Sequence, residues 1–255
     1  MTKYNLPRGM RYTKLEERRE FYTQQFDMRR AAEWTDQMKG KIIYAVIIGR
    51  HTKIFPEKYK DDSDTTIIID EYADLDDLRD QIIEFLPEAV YYDRNVYDNS
   101  GNKTGQELAF DLDPENITCP IHGNLADKMK RGQGLGFCKI ELEKVKEQAI
   151  HLYERLEEQF SKIQVVYSGR GFHIHVFDPE TYSFGERKRM EIAQSAKKLG
   201  FAIDEWVTVG EMRLIRLPYS LNGLVSRIVL PLAKTELDEF DPVHDKRCMP
   251  DFLDG

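Results

Sequence analysis

Apolar residues along this chain change their spacing several times, and each change predicts an element. From 14 to 34 they recur at helical intervals among charges (Leu15, Phe21, Tyr22, Phe26, Trp34), which predicts an amphipathic helix. IIYAVIIG (42–49) is a short unbroken β-branched run, the pattern of a buried strand. TTIIID (65–70) is another, beyond the turn-forming KDDSD (60–64). DLDDLRDQIIEFL (74–86) reads as a helix opened by acids and closed by Pro87. AVYYD (89–93), a polar turn at 98–105 and a strand from about Gln106 follow. Residues 114–140 carry Pro, Gly, Cys and His with little periodicity, and Glu141 to Phe160 is a long charged helix. IQVVYS (163–168) and FHIHVFD (172–178) are strands joined by GRG, and 183–199 is a helix ended by Gly200. WVTV (206–209), RLIRLP (213–218) and SRIVLP (226–231) read as a last set of strands, ahead of an acidic, proline-containing tail over 232–255. This irregular mixture predicts one α+β domain over 1–255, with a mixed or antiparallel central sheet flanked by helices.

The strand near Gln106 holds an unusual pair. Alternation turns Leu108, Phe110 and Leu112 to a core and Ala109, Asp111 and Asp113 to the other face. The two carboxylates then stand about 6.5 Å apart. Like charges that close repel unless a cation lies between them, and a divalent metal ion is the strongest candidate. The plain alternative is a solvated strand end running into Pro114. In FHIHVFD the same alternation puts His173 and His175 on one face and Phe172, Ile174 and Val176 on the other. Gly169 and Gly171 flank Arg170 in a tight turn. Glycines there let backbone amides approach an anion, and a guanidinium can fork onto phosphate oxygens. An ordinary hairpin with surface histidines would carry the same letters. In IDEWVTVGEMRLIRLPYSLNG (203–223), Asp204 opens one run, and Arg213 and Arg216 lie in the next. An arginine inside an apolar strand needs an anion, either a structural partner or a ligand.

Composition narrows the chemistry. A length of 255 residues, 41% hydrophobic and 32% charged, suits a soluble globular protein. A net charge of −8 excludes a global basic footprint, so an anionic partner must be held by a local patch or through metal ions. No apolar run approaches the ~20 residues of a membrane span, and MTKYNLPRGMRY lacks a signal peptide's apolar core. Cys119, Cys138 and Cys248 are too widely spaced to suggest a disulfide framework, which fits a reducing cytoplasm. Three carboxylates, basic phosphate binders and a glycine turn together suit nucleotidyl transfer by two metal ions ~3.5–4 Å apart.

Several ordered segments carry a resemblance: EERREFYTQQFD, EAVYYDRNVYD leading into ELAFDLD, VVYSGRGFHIHVFD and RLIRLPYSLNG. From about Glu16 to Leu230 the chain resembles the small catalytic subunit of archaeal and eukaryotic-type DNA primases. The resemblance implies the primase catalytic fold. It also implies two Mg²⁺ or Mn²⁺ ions held by Asp111, Asp113 and Asp204, and nucleotide contacts from Ser168, Arg170, His173, Arg216 and Asn222. It implies synthesis of short RNA primers from nucleoside triphosphates on a single-stranded DNA template, with deoxynucleotide extension in some archaeal members. A separate large subunit is the expected partner. The location is cytoplasmic, at the nucleoid, for an archaeal protein and nuclear for a eukaryotic one. Two departures stand out. The glycine turn is one residue shorter than the commoner S-G-x-R-G-x-H form, and Asn222 stands where the family often has histidine. The chain also looks shorter than many relatives.

Family members often carry a structural zinc knuckle in the region 114–141. Here Cys119, His122, Cys138 and Glu141 could surround zinc, carboxylate being an allowed though less common ligand. A metal-free knuckle is the alternative. Two other functions fit parts of the pattern. H-I-H with D-L-D can be read as the mixed metal site of a phosphoesterase, and an inactive primase fold could serve as a nucleic-acid-binding module.

Overall fold

The computed structural model describes residues 6–38 and 40–253. The N-terminal helical region is broken where one amphipathic helix is predicted. Helix α1 (Leu15–Glu20) runs into a π turn (Phe21–Gln25), and α2 (Met28–Asp36) starts afresh. The cause is Asp27, whose carboxylate accepts from the Arg29 and Arg30 amides and caps a new helix. The bend lets Phe21, Tyr22 and Phe26 pack edge to face.

Strands β1 (Tyr44–Ile47), β2 (Thr66–Ile69) and β3 (Ala89–Asp93) follow the predicted runs, with α3 (Leu75–Phe85) between the last two. Asp74 caps α3 through the Asp76 and Asp77 amides. β4 (Asn95–Tyr97) and β5 (Lys103–Gln106) make a hairpin leading into β6 (Leu108–Leu112). Past a short α4 (Leu125–Lys130), the long helix α5 (Lys139–Glu157) leads to β7 (Ile163–Tyr167), β8 (Phe172–Val176) and α6 (Glu186–Lys198). WVTV is not a strand. It lies in α7 (Glu205–Val209), because the Asp204 carboxylate accepts from the Trp206 amide and Gly210, at φ +100°, ends the turn. Local capping outweighs the β propensity of two valines and a threonine. β9 (Leu214–Arg216) is the predicted RLIRLP strand, and β10 (Leu221–Asn222) follows it. SRIVLP divides into β11 (Arg227–Ile228) and β12 (Leu230–Leu232), which pair with different partners.

The predicted central sheet is two sheets, ordered β2-β1-β3-β9 and β12-β7-β8-β6. Every strand pairing among the described residues is antiparallel, so the α+β class holds. β6 shows how the sheets stack. Leu108, Phe110 and Leu112 join a core with Ala149 and Leu152 of α5 and Ala193 of α6. Ala109 faces the other core, with Trp34, Val46 and Tyr92. The second sheet is therefore covered on both faces, by helices on its apolar side and by the first sheet on the side that also carries Asp111, His173 and His175. The C-terminal segment packs down: Leu237, Phe240 and Cys248 are buried in the same core as α5. No helix among the described residues is long and apolar enough to cross a membrane.

Candidate active site

Where the ends of the two sheets meet, a cleft of about 330 Å³ opens. The first sheet contributes Arg50, His51, Thr66, Tyr91 and Arg216; the second contributes Asp111, Asp113, Ser168, Arg170 and His173; Asp204 and Asn222 complete the wall. All eight residues singled out in the sequence as catalytic or nucleotide-contacting thus line one cavity.

The acids come together through the backbone. The amide of Asp204 donates to the Asp111 carbonyl at 2.9 Å, and Ile203 bridges to Leu112. The third acid, over 90 residues away in sequence, is therefore pinned beside the first. Asp113 ends the strand, caps the turn after it through the Glu115 amide at 3.0 Å, and accepts from Arg170 Nη2 at 2.8 Å. Asp111 keeps 27% of its side-chain surface open. Its carboxyl is nonetheless pushed well above the ordinary range, by burial first and then by Asp113, Asp204 and Glu115, with Arg170 opposing. A site that raises a carboxyl in this way is short of positive charge.

The basic side holds unmet donors. Arg170 is buried across Asp113 and Glu115 with Nε unpartnered. Burial works against its charge, but Asp113, Glu115 and Asp111 hold the guanidinium above its usual value. Arg216 stacks 5.1 Å from the Tyr91 ring, donates to Tyr91 Oη at 3.2 Å and leaves Nη1 unpartnered and buried. Arg213, its neighbour in the sequence motif, is instead a structural partner of Asp93 at 2.6 Å. His173 Nε2 lies 3.6 Å from Asp111, and its Nδ1 is buried without a partner. Burial, His175, Arg216 and Arg94 drive its pKa well below the ordinary value, so the ring is neutral. His175 does not line the cleft. It is fully buried, with Nδ1 2.7 Å from Glu107, which removes one ligand from a mixed His/Asp metal site.

The glycine turn is built by close approach. A Cβ on Gly171 would stand 2.1 Å from the Leu112 carbonyl oxygen, and Gly169 sits at φ +95° against Asn222. Asn222 donates to the Ser168 carbonyl at 2.9 Å and accepts from the Leu224 amide at 3.2 Å, holding the turn. Ser168 Oγ accepts from the Gly171 amide.

Among the cleft residues that escaped the sequence reading are Glu115, Arg50 and His51. Glu115 continues the i, i+2 series of Asp111 and Asp113, a signal masked by Pro114. Its carboxyl is raised by burial first and then by Asp113. Arg50 and His51 close the buried strand IIYAVIIG with two basic residues, the one signal available. Their loop is braced from beneath: Glu88, fully buried, accepts from the His51 and Thr52 amides, and buried Arg18 donates to the Ile48 and Ile54 carbonyls.

The donor atoms of Cys119, His122, Cys138 and Glu141 lie within 4.8 Å of one another. Cys119 Sγ is 3.8 Å from Cys138 Sγ and 3.3 Å from His122 Nδ1. The sulfur separation matches the edge of a tetrahedron with Zn–S bonds of about 2.3 Å. Glu141 also holds Lys128 Nζ at 2.6 Å and the Cys138 amide at 2.9 Å. Burial first, then Glu141 and Cys119, push the Cys138 thiol up to about 11. The knuckle abuts the cleft: Leu135 lines it, and the Phe137 ring lies 5.8 Å from the Arg170 guanidinium.

The fold is similar to that of the polymerase domain of Mycobacterium tuberculosis Ligase D, solved in complex with DNA, with a TM-score of 0.56 at 15% identity over 91% of this chain and 86% of that one. No family model matches. In sequence, the chain is 48% identical to a DNA primase small subunit-like protein of Archaeoglobus fulgidus, over 98% of this chain and 94% of that one. It is 31% identical to DNA primase small subunit PriS of Pyrococcus furiosus over 72% of this chain and 48% of that one. It is 26% identical to PriS of Pyrobaculum calidifontis over 66% and 67%. The chain belongs to the DNA primase small-subunit family.

Proposed function

We propose that this protein is a primase catalytic subunit that joins nucleoside triphosphates into short RNA primers on single-stranded DNA by two-metal nucleotidyl transfer. The observation that carries the reading is the meeting of Asp111, Asp113 and Asp204 in one cleft with the unpartnered donors of Arg170 and Arg216. The raised Asp111 carboxyl fits a donor set made for divalent cations. Mg²⁺ or Mn²⁺ bound there would supply Lewis-acid activation of a 3′-hydroxyl and neutralise charge on the leaving pyrophosphate.

The chain's own residues hold and orient. Arg170 uses one Nη on Asp113 and keeps other donors for phosphate, tying the triphosphate to the acids. Arg216, fixed on Tyr91, directs its unmet Nη1 at the same anion. Neutral His173 offers one N–H without placing a second positive charge beside Arg170. Ser168, Gly169 and Asn222 form a rigid turn beneath the phosphates. The names of the relatives, DNA primase small subunits or small subunit-like, support a large-subunit partner and a DNA template. In the knuckle, Cys119, His122 and Cys138 are spaced as zinc ligands, with Glu141 as the fourth and Lys128 balancing its charge.

The test is incorporation of labelled ribonucleotides on single-stranded DNA with Mg²⁺ or Mn²⁺, following pyrophosphate and product length together. Wild type should extend chains with one pyrophosphate per addition. Asp111→Asn and Asp113→Asn should each lose about 1,000-fold or more while remaining folded. Phosphate release without chain growth would favour the phosphoesterase. Nucleotide binding with no incorporation under any condition would leave a binding module.

A further inference from the structure

Arg94 lies in the EAVYYDRNVYD segment but lines no part of the cleft. It is fully buried between β3 and β4 and, beyond helping to keep His173 neutral, has no part in the chemistry above. Its guanidinium donates to three backbone carbonyls: Glu107 immediately before β6 (2.9 Å), Val207 in α7 (2.5 Å) and Met212 after α7 (2.6 Å). Gln106 adds a second tie from the same side, its Nε2 donating to the Gly210 carbonyl at 2.9 Å. At the other end of α7, the Asp204 amide is bonded to Asp111. The five-residue helix that begins at Asp204 is thus clamped to β6 at both ends. A helix this short has little stability of its own, so its position is set by these ties.

We infer that Arg94 is a positioning residue for the metal site, fixing the separation of the Asp204 and Asp111 carboxylates by locking α7 onto β6. This rests on the two-metal reading. Two ions ~3.5–4 Å apart tolerate little play in their ligands, and loss of an outer support typically weakens metal binding 10–100-fold. The three-way bridge needs the planar fork of arginine, which a lysine ammonium cannot span.

The experiment is Mn²⁺ binding to the whole purified chain without nucleotide, read from the electron paramagnetic resonance of free Mn²⁺. Asp111→Asn identifies the cleft sites. Arg94→Lys and Arg94→Met should each weaken those sites by about 10–100-fold, and Gln106→Ala by less. Ile82→Ala, in α3 where it packs on α2 and the π turn, should lower the melting temperature without moving Mn²⁺ affinity. Wild-type affinity in Arg94→Lys, with loss only in Arg94→Met, would mean that charge rather than geometry matters and would overturn the assignment. An equal affinity loss in Ile82→Ala at matched melting temperature would do the same. Should neither Arg94 variant fold, Gln106→Ala decides: unchanged Mn²⁺ affinity there sinks the clamp. If wild type and Asp111→Asn bind Mn²⁺ alike, the two-metal reading itself fails, a result separate from any of these.

Discussion

Asp111 shows how a single residue carries both function and a stability cost. Its carboxyl is raised above the ordinary 3.8 by burial and by three neighbouring acids. The folded state therefore holds this proton more tightly than the unfolded chain. The sign follows: the penalty is absent below the unfolded pKa and grows as pH rises through the folded one. Without divalent metal, the melting temperature of wild type should fall as pH is raised from about 4 toward neutrality. Asp111→Asn should flatten that fall and melt higher at neutral pH, and Mn²⁺ should stabilise wild type alone. Identical pH profiles for the two proteins would remove the repulsion argument. The D-x-D alternation made Asp111 and Asp113 visible in the sequence, because a strand's period places i and i+2 together. Arg50 and His51 carry no such period, and Pro114 interrupts the one that Glu115 continues. All three reach the cleft through a turn and a loop whose paths depend on Pro114, Glu88 and Arg18.

Among elements, the strand pair β6–β8 is where sequence and packing agree most closely. The predicted faces hold, with Leu108, Phe110, Phe172 and Ile174 in one core. Gly171 exists for the approach of the two strands at the acids. Gly171→Ala should cost about 3 kcal/mol and lower the melting temperature well beyond Gly132→Ala. The latter sits at φ +68° with no heavy atom near the added carbon and should lose about 1–2 kcal/mol. Equal melting temperatures, followed by circular dichroism, would contradict the close-approach argument. α7 is the opposite case. Its letters spell a strand, and only the cap from Asp204, Gly210 and the ties from Arg94 and Gln106 make it a helix. An element of five residues is decided by its surroundings.

At the scale of the molecule, the cleft has three walls: two sheets and the knuckle carrying Leu135 and Phe137. The knuckle's donors are spaced for one metal ion. The purified protein should contain about one zinc per chain. A strong chelator should strip it, lower the melting temperature and weaken nucleotide binding through Phe137 and Arg170. Because the Cys138 thiol is held protonated, zinc uptake should also release protons and strengthen with pH. A zinc-free protein indifferent to chelator would leave the Lys128–Glu141 pair as the knuckle's own cross-link.

By itself the sequence determined the α+β class, most element positions, the two-faced β6 and β8 strands and eight of the residues that line the cleft. Each of these follows from local periodicity or from motif letters read in order. Tertiary structure alone decided that the sheet is two sheets. It also decided that Asp204 hangs from Asp111 by a backbone hydrogen bond, that Arg213 is spent on Asp93 while Arg216 is not, and that Arg94 clamps α7. Those outcomes depend on which distant carbonyl or carboxylate a buried donor finds, and no local pattern encodes that choice.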